Sequence, residues 1–231
     1  MRLKIALVLS LLFFLAGCET IQTPLQGNSL SSPEARQFLQ ELNAREKATQ
    51  KKVWRYAASL YIVDKNGTSR KVSALALWQP GEKVRWRLKY LGQTFFSALC
   101  DGQSWWLFQE GNGTVYRLPK ERVSDVRAEG IPPLAWHVLG RSLTGFRPEA
   151  TEALQIFKNE NSFTCYTKKG DGEESVTFAS EVEAGYPPLP LEGLWQTAAG
   201  ERCQATFEKA SFVSGSDFFA VTTNNYRVVE L

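Results

Sequence analysis

Histidine and methionine are almost missing: in 231 residues there is one of each. Acid–base chemistry near neutral pH therefore has hardly any imidazole to use. His137 itself sits in the apolar run "LAWHVL" (134–139), where it reads as a packed or capping side chain. The four cysteines, Cys18, Cys100, Cys165 and Cys203, have no CxxC spacing. With a single histidine beside them, a zinc site is not expected. Neither a G-x-S-x-G elbow nor a phosphate-binding loop pattern occurs. Asp125, Glu129 and the acidic group Asp171, Glu173 and Glu174 read as solvated loop charges. No enzyme and no cofactor is expected. Excess charge of one sign is lacking too, with 27 Lys and Arg against 24 Asp and Glu, so the electrostatic footprint of a nucleic-acid binder is missing. No apolar stretch reaches the roughly 20 residues of a membrane-spanning helix.

What is present is aromatic and apolar. Seven Trp and fourteen Phe, within a hydrophobic share of 43%, are enough for a substantial core and argue against disorder. The N-terminus has its own pattern. Arg2 and Lys4 precede an apolar run from Ile5 to Leu15, followed by Leu15-Ala16-Gly17-Cys18. Small residues directly before a cysteine resemble the lipobox of bacterial lipoproteins. That resemblance implies a signal peptide over 1–17, cleavage before Cys18, and acylation of Cys18. More than one acyl chain on that cysteine would give a stable anchor. In enteric lipoproteins an Asp after the cysteine favours the inner membrane, so Glu19 points to the outer one. Removing 1–17 also removes two of the cations and leaves the chain nearly neutral. Cys100, Cys165 and Cys203 remain, enough for one disulfide at most, and they read as small buried hydrophobes.

Residues 18–31 are polar, with Pro and Gly, and read as a lipidated, flexible tether; 32–231 form the domain. Ser31 and Glu34 have capping-box spacing with Pro33 between them. Ala35, Phe38, Leu39 and Leu42 follow at helical spacing, so a helix is expected over about 33–49. From Val53 the period becomes two. Strands are expected at 53–62, 71–79, 83–90, 94–100, 104–109 and 113–118, separated by "DKNGTS", "PG", "LGQ", "DGQ" and "EGNG". "GIPPLAWHVLGR" (130–141) suits a short helix with Leu134 and Val138 on one face. Further strands are expected near 153–158, 162–168, 174–180, 202–210, 216–222 and 226–231, whereas the prolines of "GYPPLPLEG" (185–193) exclude a central strand there. The fold class is mainly β: a strongly curved antiparallel sheet, an open half-barrel of about ten to eleven strands, with helices covering the concave side.

One stretch is specific. In "KVRWRLKYLGQTFF" (83–96), Lys83, Arg85, Arg87 and Lys89 alternate with Val84, Trp86, Leu88 and Tyr90, and a leucine stands in the turn. A basic and apolar strand, then Leu91-Gly92, then a strand opening with Thr94 resembles the LolB family of outer-membrane lipoprotein receptors, within the wider LolA/LolB-like carriers. "GIPPLAWHVLG" is similar to the family's proline-rich lead into a Trp-containing helix, and the lipobox, leading helix and "WRYAASLYI" strand follow the same order. The overlap runs from Val53 to Arg147. Beyond it only the strand rhythm corresponds, and the C-terminal part is longer.

The resemblance implies a function without chemistry. Such proteins accept acylated lipoproteins from a LolA-like periplasmic carrier, hold the acyl chains in an apolar cavity, and help insert the cargo into the outer membrane. The leucine of the family's Pro-Leu-Gly turn projects to solvent, and by motif it is Leu91, with Tyr90 where proline is usual and Gly92 after it. Trp54, Tyr56, Trp86, Leu88, Phe96 and Ala98 face away from the charges and are expected to line the cavity; an ordinary packed core gives the same alternation. Lys83, Arg85, Arg87 and Lys89 fit either anionic headgroups or a solvated strand face. The expected partners are the carrier, its acylated cargo and the membrane through the lipid anchor, for a monomer facing the periplasm. Two other readings stay open: a related half-barrel that senses or binds lipid without passing it on, as RseB and MucB do, and a structural envelope lipoprotein.

Overall fold

The computed structural model describes residues 27–125, 138, 140–148, 153–169, 172–215 and 217–231. In chain order its elements are β1 (Asn28–Ser29), α1 (Ser32–Thr49), β2 (Val53–Val63), β3 (Ser69–Gln79), β4 (Lys83–Tyr90), β5 (Gln93–Cys100), β6 (Ser104–Gln109) and β7 (Thr114–Pro119). A short 3-10 turn, Lys120–Asp125, follows. Then come β8 (Leu154–Lys158), β9 (Ser162–Lys169), β10 (Gly172–Ala179), β11 (Glu192–Thr197), β12 (Arg202–Phe207), β13 (Ser211–Val213) and β14 (Arg227–Glu230). The signal segment, Cys18, Leu134 and His137 lie outside the described residues, as does most of the helix expected over 130–141; Val138 is helical and buried, and residues 140–142 are helical.

All the strands join one open, curved sheet in the order β1-β8-β9-β10-β11-β12-β2-β3-β4-β5-β6-β7-β14, with β13 also on β2. Two meanders, β2–β7 and β8–β12, meet where β12 pairs antiparallel with β2. Tight turns explain the meanders: Asp64 Oδ1 accepts the Asn66 and Thr68 backbone N–H groups at 2.8 and 3.0 Å, setting the β2–β3 register. The described residues form fourteen strands rather than the ten or eleven expected: β14 falls on the strand expected near 226–231, whereas β1, β11 and β13 were not expected, and β1 and β13 are short pieces whose pairing comes from a neighbour. Residues 217–222 form no strand, and Glu192–Thr197, which directly follows the proline run, does. The tether is held from residue 28, where Asn28 and Ser29 pair with β8.

This topology forces two crossings. The chain leaves the sheet at β7, near one edge, and returns at β8, near the other, so the connection must pass over a face. Residues 141–147 do so on the face carrying Trp78 and Trp86. Later the chain leaves β13 on β2 and ends in β14 on β7, passing over the opposite face. β14 makes the one parallel pairing among the described strands.

The core is the inner, alternate set of strand residues, from Trp54, Tyr56 and Ala58 on β2 to Cys165, Val176 and Trp195 in the second meander. Helix α1 covers part of it: Phe38 and Leu42 are buried, and Phe38 stacks 4.4 Å from Phe163 and 6.3 Å from Phe178. At its start Glu34 accepts both the Ser31 N–H and hydroxyl, at 3.1 and 2.6 Å. Cys100, Cys165 and Cys203 are free and buried, and burial pushes the latter two thiols up to about 12.

Candidate functional site

The β4–β5 hairpin ends in a two-residue turn, with Tyr90 opposite Gln93 and Leu91-Gly92 between them. Both central residues are left-handed, with φ of 49° at Leu91 and 82° at Gly92. That is the backbone of a type I′ turn, which favours Asn-Gly or Asp-Gly. A leucine there carries roughly 1–2 kcal/mol of steric cost, and it is also 87% exposed. Tyr90 and Phe95 are exposed beside it. A bulge between Leu88 and Lys89 leaves Phe95 as the extra residue on β5, which twists the tip and brings a third apolar side chain to it. Arg87 and Lys89 are exposed on the outer face just below, Lys83 is half-buried, and Arg85 donates to the Ala220 carbonyl.

Trp54, Tyr56, Trp86, Leu88, Phe96 and Ala98 are all buried on the inner face. The structure brings five of them together. Trp86 is opposite Ala98 and Leu88 opposite Phe96, while Tyr56 meets the Trp86 ring edge-on at 5.6 Å. Trp54 sits apart, 5.3 Å from Tyr186 and 6.0 Å from Phe212.

Residues 141–147 lie against this face. The Trp86 indole donates to Ser142 Oγ at 2.9 Å and the Trp78 indole to the Leu143 carbonyl at 3.4 Å. Gly145 turns at φ 59° against Trp78; a Cβ there would come 2.7 Å from the ring. Phe146, at φ 61° and with no exposed surface, lies between Phe207 and Trp195 at 4.8 and 5.6 Å. Ion pairs hold both ends: Arg141 donates to Glu174 Oε1 through Nε and Nη2 at 3.2 and 2.8 Å, and Arg147 meets Glu46 at 2.6 Å and Asn43 on α1. Burial pushes the Glu46 carboxyl up despite Arg147 and Lys47. Sequence reasoning missed this segment; its one local sign is the glycine before Phe146.

Among the described residues, four buried side-chain atoms have no hydrogen-bond partner within the protein: Tyr56 Oη, Trp105 Nε1, Trp195 Nε1 and Thr197 Oγ1. A recess lined by Ser175, Thr177, Glu192, Gly193, Leu194 and Gln204 opens on β10–β12 and includes none of the residues expected to line an acyl-chain cavity. Among the described residues no His, Cys, Asp and Glu group is placed to hold a metal ion, and no helix is long and apolar enough to cross a membrane.

No protein-family model matches this sequence, and no curated protein does either. Solved structures resemble it remotely. An uncharacterized conserved protein from Thermus thermophilus is 12% identical, over 83% of this chain and 98% of its own, at a TM-score of 0.49. A LolA superfamily protein from Nitrosomonas europaea is 9% identical, over 78% and 97%, at 0.43. The Pseudomonas aeruginosa MucA/MucB complex matches at 11%, over 78% and 59%, at 0.38. Likenesses of this degree decide nothing about what the chain binds.

Proposed function

We propose that the chain is an outer-membrane lipoprotein, anchored through Cys18, that accepts acylated lipoproteins from a LolA-like periplasmic carrier and helps insert them into the membrane. The observation that carries this reading is Leu91: an apolar side chain, almost wholly in water, in a backbone conformation that leucine disfavours. Packing gives no reason for it and neither does the turn, whereas a lipid surface does. Entry of Leu91 with its neighbours Tyr90 and Phe95 into lipid is worth roughly 1–3 kcal/mol for each side chain fully transferred, an interaction weak enough to reverse. Gly92 completes the turn. The inner face of Tyr56, Trp86, Leu88, Phe96 and Ala98, with Trp54 beyond, supplies the apolar lining for acyl chains once residues 141–147 move aside.

The test is reconstitution of the lipidated protein in vesicles, supplied with carrier loaded with an acylated protein. Wild type should take the cargo and deposit it in the bilayer. Leu91→Glu should still take it but fail to deposit it. Deposition by Leu91→Glu at the wild-type rate would remove Leu91 from the mechanism. A second reading is favoured by how closely residues 141–147 cover the inner face: a half-barrel that binds or senses lipid without transfer. Uptake with no deposition by wild type would select it.

A further inference from the structure

The outer face of the first meander has charge of one sign. Strands β2, β3, β4 and β5 contain no aspartate or glutamate. Arg55, Lys71, Lys83, Arg85, Arg87 and Lys89 stand on their outer side, alternating with core residues. Their cross-strand neighbours bring no counter-charge: Lys89 is opposite Ser73, Arg87 opposite Leu75 and Lys71 opposite Tyr61. Arg55, Lys71, Arg87 and Lys89 are exposed and meet no carboxylate among the described residues. Elsewhere cations are paired, as Arg117 with Glu230, Arg141 with Glu174 and Lys209 with Glu183. On the second meander Lys168 is opposite Glu173 across β9 and β10. Opposite charges across strands stabilise a sheet and like charges weaken it, so the fold gains nothing from this face.

Edge protection does not explain it either. Lysines often shield an unpaired sheet edge, but β4 is paired on both sides, with β3 and β5. The face also has apolar members. Tyr61 and Leu75 are exposed between the cations, and the turn of Tyr90 and Leu91 borders the face at one end, with Phe95 beside it. A bilayer of anionic phospholipid offers phosphates next to hydrocarbon and matches both features. A soluble acidic partner matches the charge alone.

Distance sets the posture. Along an extended strand Lys89 lies about 7 Å and Arg87 about 13 Å from Leu91, whereas the headgroup layer is about 5–8 Å deep. A sheet standing on its Leu91 tip would bring Lys89 to the phosphates and leave Arg87 above them. A sheet leaning on its outer face brings Lys71, Arg87 and Lys89 down together.

We propose that the outer face of β2–β4 is a docking surface for anionic phospholipid, with Lys71, Arg87 and Lys89 on headgroup phosphates, Tyr61 and Leu75 between them, and Leu91 in the hydrocarbon. The surface rests on the membrane-insertion reading and adds to it a lipid class and an orientation, in which the concave side faces the periplasm.

The experiment uses the full lipidated chain in phosphatidylcholine vesicles with and without added phosphatidylglycerol, at low and high salt. Ser73→Cys, on the outer face, is labelled there with nitrobenzoxadiazole, and quenching by a headgroup nitroxide gives the ratio of docked to undocked protein. Phosphatidylglycerol should raise that ratio about tenfold or more, and high salt should reverse the gain. Arg87→Glu with Lys89→Glu should lower the ratio about tenfold or more, whereas the same charge change on α1, Arg36→Glu with Lys47→Glu, should leave it unaltered. Docking indifferent to phosphatidylglycerol, or weakened equally by both pairs of substitutions, would overturn the surface. Shielding of the label by added carrier instead of by lipid would overturn it too, assigning the face to a protein. Cargo deposition in the same vesicles keeps the two ideas apart. Deposition without lipid-dependent docking would leave the insertion reading standing and remove the surface; lipid-dependent docking without deposition would do the reverse.

Discussion

At the scale of single residues, Leu91 separates stability from function. Its turn needs two left-handed residues, and asparagine tolerates that conformation far better than leucine does. Leu91→Asn should therefore raise stability by about 1 kcal/mol, seen in thermal melts as a gain of roughly 2–4 °C for a chain of this size. The same change should abolish cargo deposition. A variant that is more stable yet inactive would show that leucine is kept against the preference of the fold; unchanged stability would mean that the φ of 49° carries no strain. The residue was legible in the sequence because an apolar side chain in a tight turn breaks a local pattern. Tyr56 and Trp195 were legible only as buried aromatics. That their polar atoms lack partners depends on what every neighbouring element places around them, and no local pattern carries that.

At the scale of elements, the contact between α1 and residues 141–147 runs through Glu46. Its side chain is 10% exposed and its carboxyl is pushed up, burial outweighing Arg147. A carboxyl raised in the folded state favours folding while it is protonated. Its contribution is complete below the ordinary glutamate range and is lost as pH rises through the raised folded value. Wild type should therefore lose stability relative to Glu46→Gln as pH rises from about 4 towards neutrality. Arg147→Met, which removes the main attraction, should extend that loss to higher pH. Melts of the three proteins between pH 4 and 8 check this, and parallel curves for wild type and Glu46→Gln would refute it. Helix α1 itself was legible, since its capping residues and its apolar stripe are local. Strand β11 was hidden by the prolines just before it, although proline bars only the positions it occupies. "DFFAVT" (217–222) has the composition of a strand, but at that point the chain crosses a sheet face and meets no free edge.

At the scale of the whole molecule, two crossings hold the open sheet from opposite sides, and the outer one is the lighter. Between β13 and β14 the chain is fixed by Arg85 donating to the Ala220 carbonyl at 2.5 Å, by Tyr226 donating to Glu110 at 2.7 Å, and by the Tyr226 ring 5.2 Å from Phe108. Leu99 and Val115 point to this outer side and are nonetheless buried, outside the main core cluster. They lie on the face that the C-terminal strap crosses, where Val115 pairs with Val228. The strands of both meanders, β11 apart, were legible through their alternation, but this arrangement was not, because a strap is defined by the surface it crosses. Removing residues 214–231 should expose Leu99, Val115 and the β7 edge, and cost roughly 2–4 kcal/mol from the apolar surface returned to water. Hydrogen exchange should locate the effect: β7 amides lose protection, whereas β2, β3 and the Leu91 hairpin keep theirs. Global loss of protection in the truncated chain would mean that the strap is part of the main cooperative unit, and unchanged protection of β7 would mean that β14 adds nothing to that edge.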